Sequence, residues 1–396
     1  MKKILILILC CISAIFVSAN DGAFYAEGNQ LIPINETDIS VQKEVLTLNR
    51  VGDHIEVTVY YEFFNPADQK ELLVGFEAQK GDAADPRPTF PEHPSIHSFK
   101  VSMNGEPLSF EVAHIDGIHY DYDEDENIPT YVNNGHIEGL TREYCEAELA
   151  ELECIEPIFD YVYHFNATFR PGLNIIQHTY DFDMSVERNG FTSDFFYVLT
   201  AANRWANHQI DDFMLYIDMG DHTSFHISPS FFKSPDEWEI LGIGKNTVGT
   251  TPYHVKPDSI FFHMQQGSIR FHKENFHPDG ELYITQDQIW GSWWWILNPD
   301  NRSFNSESYL NYYKDQYEPI VFYSDIENKE TYYDLFSPEQ RRILKNLPFA
   351  YRGYVFTNKA LQDFFESTYW YIPNRDYKAE METLDEMEQN WVEFWN

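Results

Sequence analysis

Only a few residue sets in this chain have the types and spacing for chemistry. His222 and His226 stand four apart, the spacing that lets two imidazoles share a metal ion on a helix. Their surroundings, Gly220-Asp-His-Thr-Ser-Phe-His-Ile-Ser, read as turn and strand, where ~3.3 Å per residue separates them by about 13 Å, too far for one ion. Asp121-x-Asp123-x-Asp125 begins like a calcium loop, but Glu126 stands where such a loop needs glycine and Val132 where it needs a bidentate glutamate. It reads as a solvated acidic loop. Trp293-Trp294-Trp295 offers aromatic faces to a sugar or peptide, yet neighbours on a strand point to opposite sides, so at least one belongs to a core. The remaining set is Tyr351 and Arg352 with Trp370 and Tyr371. A guanidinium can hold a carboxylate bidentately while an aromatic ring packs on a sugar, so these four are the candidate ligand-binding residues. The competing roles are structural: Arg352 capping a helix C-terminus with Gly353 turning the chain, and Trp370 filling a small core.

No GxSxG, HExxH, P-loop or GxGxxG pattern occurs, nor a Cys/His set of zinc spacing. No catalytic residue, cofactor or metal ligand is therefore assigned. The 64 acidic residues leave open a glycosidase-like carboxylate pair, whose separation sequence does not reveal. Against them stand 27 Lys and Arg, for a net charge of −37, which argues against a nucleic-acid or anionic-membrane partner, since both require a basic surface. Hydrophobic residues at 43%, with 17% aromatic, exclude a disordered acidic tail and supply sizeable cores.

The elements that must position these residues begin after an address label. Met1-Lys2-Lys3 is a basic start, Ile4 to Val17 is an apolar run of 14 residues, and Val17-Ser18-Ala19 is a small-residue cleavage site. The pattern predicts a leader over 1–19, cut between Ala19 and Asn20, with no transmembrane anchor in the mature chain. Beyond it only Cys145 and Cys154 remain, and in an oxidising compartment two such cysteines are expected to pair.

Residues 20–300 read as a β-sandwich body. Val51-Gly52-Asp53, Asn104-Gly105, Pro171-Gly172 and Asp279-Gly280 are hairpin turns between alternating runs. An acidic, partly helical excursion interrupts them near 121–157. The spacing predicts an antiparallel β-sandwich architecture, two sandwiches in all. Residues 301–334 form a connecting region, and 335–396 a small α-helical module. There Ser337-Pro338-Glu339-Gln340 caps a first helix, Leu361, Phe364 and Phe365 mark a second, and Thr383-Leu-Asp-Glu386 opens a third.

The segment from Leu335-Phe-Ser-Pro-Glu-Gln through Phe349-Ala-Tyr-Arg-Gly353 to Thr368-Tyr-Trp-Tyr371 resembles the YARHG domain, a small bacterial extracellular domain. Ala350 and Gly353 match the five-letter motif that names it. The N-terminal body, through Glu36 to Leu48, Tyr60 to Asn65 and Trp205 to Phe213, resembles secreted bacterial β-rich domains of unknown function. The resemblance implies a periplasmic or extracellular location and a non-catalytic binding or scaffolding role toward an envelope glycan or protein. The alternative is an enzyme acting on envelope glycans or peptides. Oligomeric state is not legible.

Overall fold

The computed structural model describes residues 31–33, 38–52, 54–78, 93, 95–116, 119–122, 129–132, 159–186, 192–197, 199, 202–203, 205–248, 259–287, 305–315 and 333–396. The expected leader with its Ala19 and Asn20 junction, Cys145 and Cys154, Trp293 to Trp295, Asp123 to Glu126 and the part of the 121–157 excursion expected to be helical lie outside these residues.

Eighteen strands form from the described residues. The first nine are β1 (Leu31–Pro33), β2 (Ser40–Val51), β3 (His54–Asn65), β4 (Lys70–Ala78), β5 (Ile96–Met103), β6 (Glu106–Leu108), β7 (Glu111–Asp116), β8 (His119–Tyr122) and β9 (Pro129–Val132). The rest are β10 (Phe159–Phe169), β11 (Gly172–Asp183), β12 (Ser185–Val186), β13 (Thr192–Tyr197), β14 (Ile210–Asp218), β15 (Thr223–Ile227), β16 (Trp238–Val248), β17 (Ile260–Phe276) and β18 (Leu282–Asp287).

Alternation decides the faces. On β3, Ile55, Val57, Val59, Tyr61 and Phe63 are buried while His54, Glu56, Thr58 and Glu62 point the other way. The turn at Gly52 pairs β2 with β3, Val51 opposite His54. Asn104 and Gly105, at φ 52° and 86°, supply the two positive φ values that a tight hairpin turn between β5 and β6 requires.

Two of the expected hairpins are different connections. Pro171-Gly172 is a corner between sheets: β10 pairs with β4 and β7, whereas β11 pairs with β3 and β5. Asn174 clamps that corner, accepting from the Arg170 N–H at 2.9 Å and donating to the Arg170 carbonyl at 2.8 Å. Asp279-Gly280 joins β17 to β18, which run beside β15 and not beside each other.

Strands β1-β4-β10-β7 make one sheet, and β8 and β9 form a separate ribbon. The long sheet runs β12-β13-β18-β15-β17-β14-β2-β3-β11-β5-β6 with β16 added beside β17, and it does not close into a barrel. All described pairings are antiparallel except β2 with β14, where Leu46 lies beside Leu215 in parallel register. One contiguous core runs between the layers. Phe76 of β4 stacks on Phe99 of β5 at 5.5 Å and packs on Tyr180 of β11 at 5.2 Å, joining the two sheets. Phe182 of β11 meets Phe195 of β13 edge-on at 5.2 Å, so the long sheet curls back over itself. Each such ring contributes about 1.5–3 kcal/mol by burial.

The C-terminal region is helical: α1 (Ser306–Asp315), α2 (Pro338–Tyr351), α3 (Lys359–Glu366) and α4 (Glu386–Phe394). Ser337 caps α2 reciprocally with Gln340, with Pro338 in the first turn, as its sequence predicts. The cap of α4 is Asp385 with Glu388, two residues beyond the expected Thr383. α1 falls inside the stretch read as a connector, and its Tyr309, Leu310 and Tyr313 join Leu344, Phe365, Trp370 and Trp391 in a second core. The helical core thus begins before residue 335. Among the described residues no helix is long and apolar enough to cross a membrane.

Candidate functional site

Residues Ile260 to Gln265 of β17 are all buried, which a half-exposed strand would not show. Period two explains it. Ile260, Phe262 and Met264 belong to the β core, while Phe261 packs with the helical core. His263 and Gln265 share the face of Phe261 and meet the helices. Across the strands Lys245 of β16, His263 and Ser224 of β15 stand in one row. Each member reaches the helical region. Lys245 Nζ donates to the carbonyls of Thr368 and Tyr371, both at 3.2 Å, and Gln265 donates to the Ile372 carbonyl at 2.7 Å. Ser224 Oγ lies 2.8 Å from His263 Nδ1 and 3.2 Å from the Tyr351 hydroxyl.

The four residues singled out from sequence come together on the helical side of this seam. Tyr351, at the end of α2, is buried with its ring 4.6 Å from that of His263. Trp370 is fully buried and donates its indole N–H to the Tyr313 carbonyl at 2.7 Å. Tyr371 is buried too, its hydroxyl donating to the Tyr354 carbonyl at 2.9 Å. Arg352 holds Glu388 with two nitrogens at 2.6 Å and donates to the Pro348 carbonyl at 3.2 Å. It ties the C-terminus of α2 to the first turn of α4. Gly353 at φ 83° lets its own N–H reach the Ala350 carbonyl and that of Tyr354 reach Phe349, the closing pattern of a helix with a left-handed residue. The aromatic faces expected to meet a ligand are thus covered by protein.

Burial sets the electrostatics of the row. It pushes the His263 imidazole down to about 3, helped by the Lys245 charge, so the ring is neutral. Burial also lowers Lys245 to about 8 and, with the Arg352 charge, lowers His222. His263 Nε2 and His222 Nδ1 have no hydrogen-bond partner among the described residues. Ser224, His263 and Tyr351 form a neutral hydrogen-bonded set, with Trp370 packed beside His263 at 6.5 Å. The row works as a latch between body and helices.

A cleft of about 350 Å³ opens elsewhere on the helices, lined by Tyr333, Arg341, Arg342, Lys345, Asn346 and Trp395 among others. Successive turns of α2 place Arg341, Arg342 and Lys345 there, and Trp395, only 3% exposed, forms an apolar floor. Arg341 lies 4.0 Å above the Tyr333 ring. Lys345 donates to the Asn396 side chain at 2.7 Å. Cations beside aromatic groups are equipped to bind an anion.

Residues 326–396 match the YARHG domain. The chain has no match among curated proteins. Among solved structures it is similar to a Legionella pneumophila protein assigned provisionally to nutrient binding, at 17% identity and a TM-score of 0.48, covering 93% of this chain and 97% of that one. Leukotriene A4 hydrolase from Saccharomyces cerevisiae aligns at 9% identity and a TM-score of 0.23, over 63% of this chain and 29% of that one.

Sequence reasoning passed over both the latch and the cleft. The latch had a signal, since Ile-Phe-Phe-His-Met-Gln is a strand without a solvent face. The cleft of the YARHG domain had one too: Arg341, Arg342 and Lys345 fall within two helical turns.

Proposed function

We propose that this is an exported binding protein of the bacterial envelope, whose YARHG domain takes an anionic group of an envelope glycan or peptide in its cationic cleft. One observation carries the reading: Arg341, Arg342 and Lys345 converge beside Tyr333 and Trp395 in a chain of net charge −37. Against so acidic a background the cleft is a localised positive site, selective for a carboxylate or similar group that makes short, charge-assisted contacts. Export is supported by the basic start, apolar run and Val17-Ser18-Ala19 site, and by the occurrence of YARHG domains in extracellular and periplasmic proteins. The role is binding, without catalysis. Tyr351, Arg352, Trp370 and Tyr371 serve it as framework, holding α2 and the following chain against the β body.

Pull-down of the mature protein on isolated cell-wall and membrane fractions tests the reading. Binding is expected to weaken with salt and to disappear in the Arg341→Ala/Lys345→Ala double variant, whose melting temperature falls only by what the Arg341 contacts to Tyr333 and the Lys345 contact to Asn396 supply, far less than for Arg352→Ala. Arg352→Ala is expected to act the other way. It strands the Glu388 carboxylate, 4% exposed, at a cost of about 3–5 kcal/mol of stability. Undiminished capture of the double variant would refute the cleft as the ligand site.

A further inference from the structure

The outer face of the β body carries a second constellation, far from any motif in the sequence. His54 and Glu56 are two apart on β3 and so project from one face. Asp181 of β11 stands directly opposite Glu56, and Asp183 directly opposite His54. One donor atom each from His54, Glu56 and Asp181 lies within 4.8 Å of the others. Two carboxylates paired directly across strands repel one another and cost the sheet stability unless a positive charge lies between them. Nearby, His97 of β5 contacts Asp183 at 2.8 Å, and Asn49 of β2 donates to Glu56 at 3.4 Å.

We propose that His54, Glu56 and Asp181 bind a first-row divalent cation, zinc in the first instance. An imidazole nitrogen with two carboxylates is a borderline donor set, which favours zinc over calcium or magnesium, whose sites are built from oxygen alone. Tetrahedral zinc with bonds near 2.0–2.1 Å needs ligand atoms about 3.4 Å apart, which small side-chain rotations reach from the present spacing. Three protein ligands leave the fourth position open. Asp183 is placed to support the site and His97 to orient Asp183.

The experiment uses the full chain, purified without a histidine tag and stripped with chelator, titrated with zinc chloride by calorimetry and with cobalt chloride by visible absorption. One saturable site is expected, with a cobalt band of tetrahedral type and a melting temperature that rises with zinc. His54→Ala and Asp181→Asn should each weaken binding at least tenfold, and Asp181→Asn should raise the metal-free melting temperature by relieving its repulsion with Glu56. His272→Ala, at an exposed histidine on β17, should bind as the parent does. Absence of a saturable site, or parental affinity in both His54→Ala and Asp181→Asn, would overturn the proposal.

Discussion

Glu44 is fully buried on β2, accepting from the Tyr197 hydroxyl at 3.2 Å, with Tyr61 and Tyr197 hydroxyls 3.0 Å apart and its own Oε2 without a partner among the described residues. Burial pushes its carboxyl from 4.5 up to about 8, against the pull of the two tyrosines. Close by, His178 lies among Phe76, Phe99 and Tyr180 with neither ring nitrogen bonded, and burial pushes it from 6.5 down to about 3. The two groups give opposite pH dependences. Between pH 4.5 and 8 the folded chain retains a proton at Glu44 that the unfolded chain releases, so this stability is lost as pH rises. Between pH 6.5 and 3 the unfolded chain protonates His178 while the fold excludes the proton, so stability is lost as pH falls. Glu44→Gln keeps an acceptor but removes the titration. Its stability should match the parent near pH 4 and exceed it increasingly up to about pH 8, by an amount on the order of a few kcal/mol, read as a growing difference in melting temperature. Parallel melting curves across that range would show that Glu44 is not the titrating group.

Turns and strands, one scale up, owe their roles to what lies beside them. Gly105 and Gly353 both hold positive φ, yet their surroundings differ. A Cβ at Gly105 would meet nothing within 4 Å, whereas at Gly353 it would lie 2.3 Å from the Ile372 carbonyl oxygen and 2.8 Å from Asn374. Gly105→Ala should therefore cost only the left-handed penalty of about 1–2 kcal/mol. Gly353→Ala adds overpacking of about 1–3 kcal/mol, because the chain at Ile372 is fixed by Gln265 and cannot retreat without loosening the latch. Thermal unfolding of the two variants side by side measures the difference. Equal losses would mean that the segment after Trp370 yields freely.

At the scale of the molecule, the two hydrophobic cores share no residue among those described, and among them Phe261 of β17 is the strand residue that enters the helical one. The β core draws on residues from Ile39 to Ile284. A chain of residues 20–304, ending before α1, is therefore expected to unfold cooperatively, at a lower melting temperature and with greater binding of a hydrophobic dye at bared Phe261 and its neighbours. Loss of a cooperative transition would show that the YARHG domain completes the β body instead of docking on it. The seam favours docking: its hydrogen bonds run mainly from strand side chains to helical-region carbonyls, a contact that two folded units can make.

What the sequence determined by itself was local. The alternation from Ile55 to Phe63, the Asn104-Gly105 turn and the Ser337–Gln340 cap each act over a few residues, so the mainly β class, the capped α2 and the YARHG resemblance were all legible. The Asp385 cap was misread by two residues because Thr383, two positions earlier, also offers a side-chain oxygen that can accept from a first-turn N–H. Tertiary structure decided everything that depends on a distant partner. Pro171-Gly172 looks like a hairpin turn, but only the pairing of β10 with β4 and of β11 with β3 makes it a corner. Arg352 has the chemistry to bind a ligand, and only the approach of Glu388 turns it into a brace between helices. The rows of Lys245, His263 and Ser224, and of His54, Glu56 and Asp181, exist because strand register aligns residues that sequence separates. Register is set by burial of the opposite faces, which no short stretch of chain encodes alone.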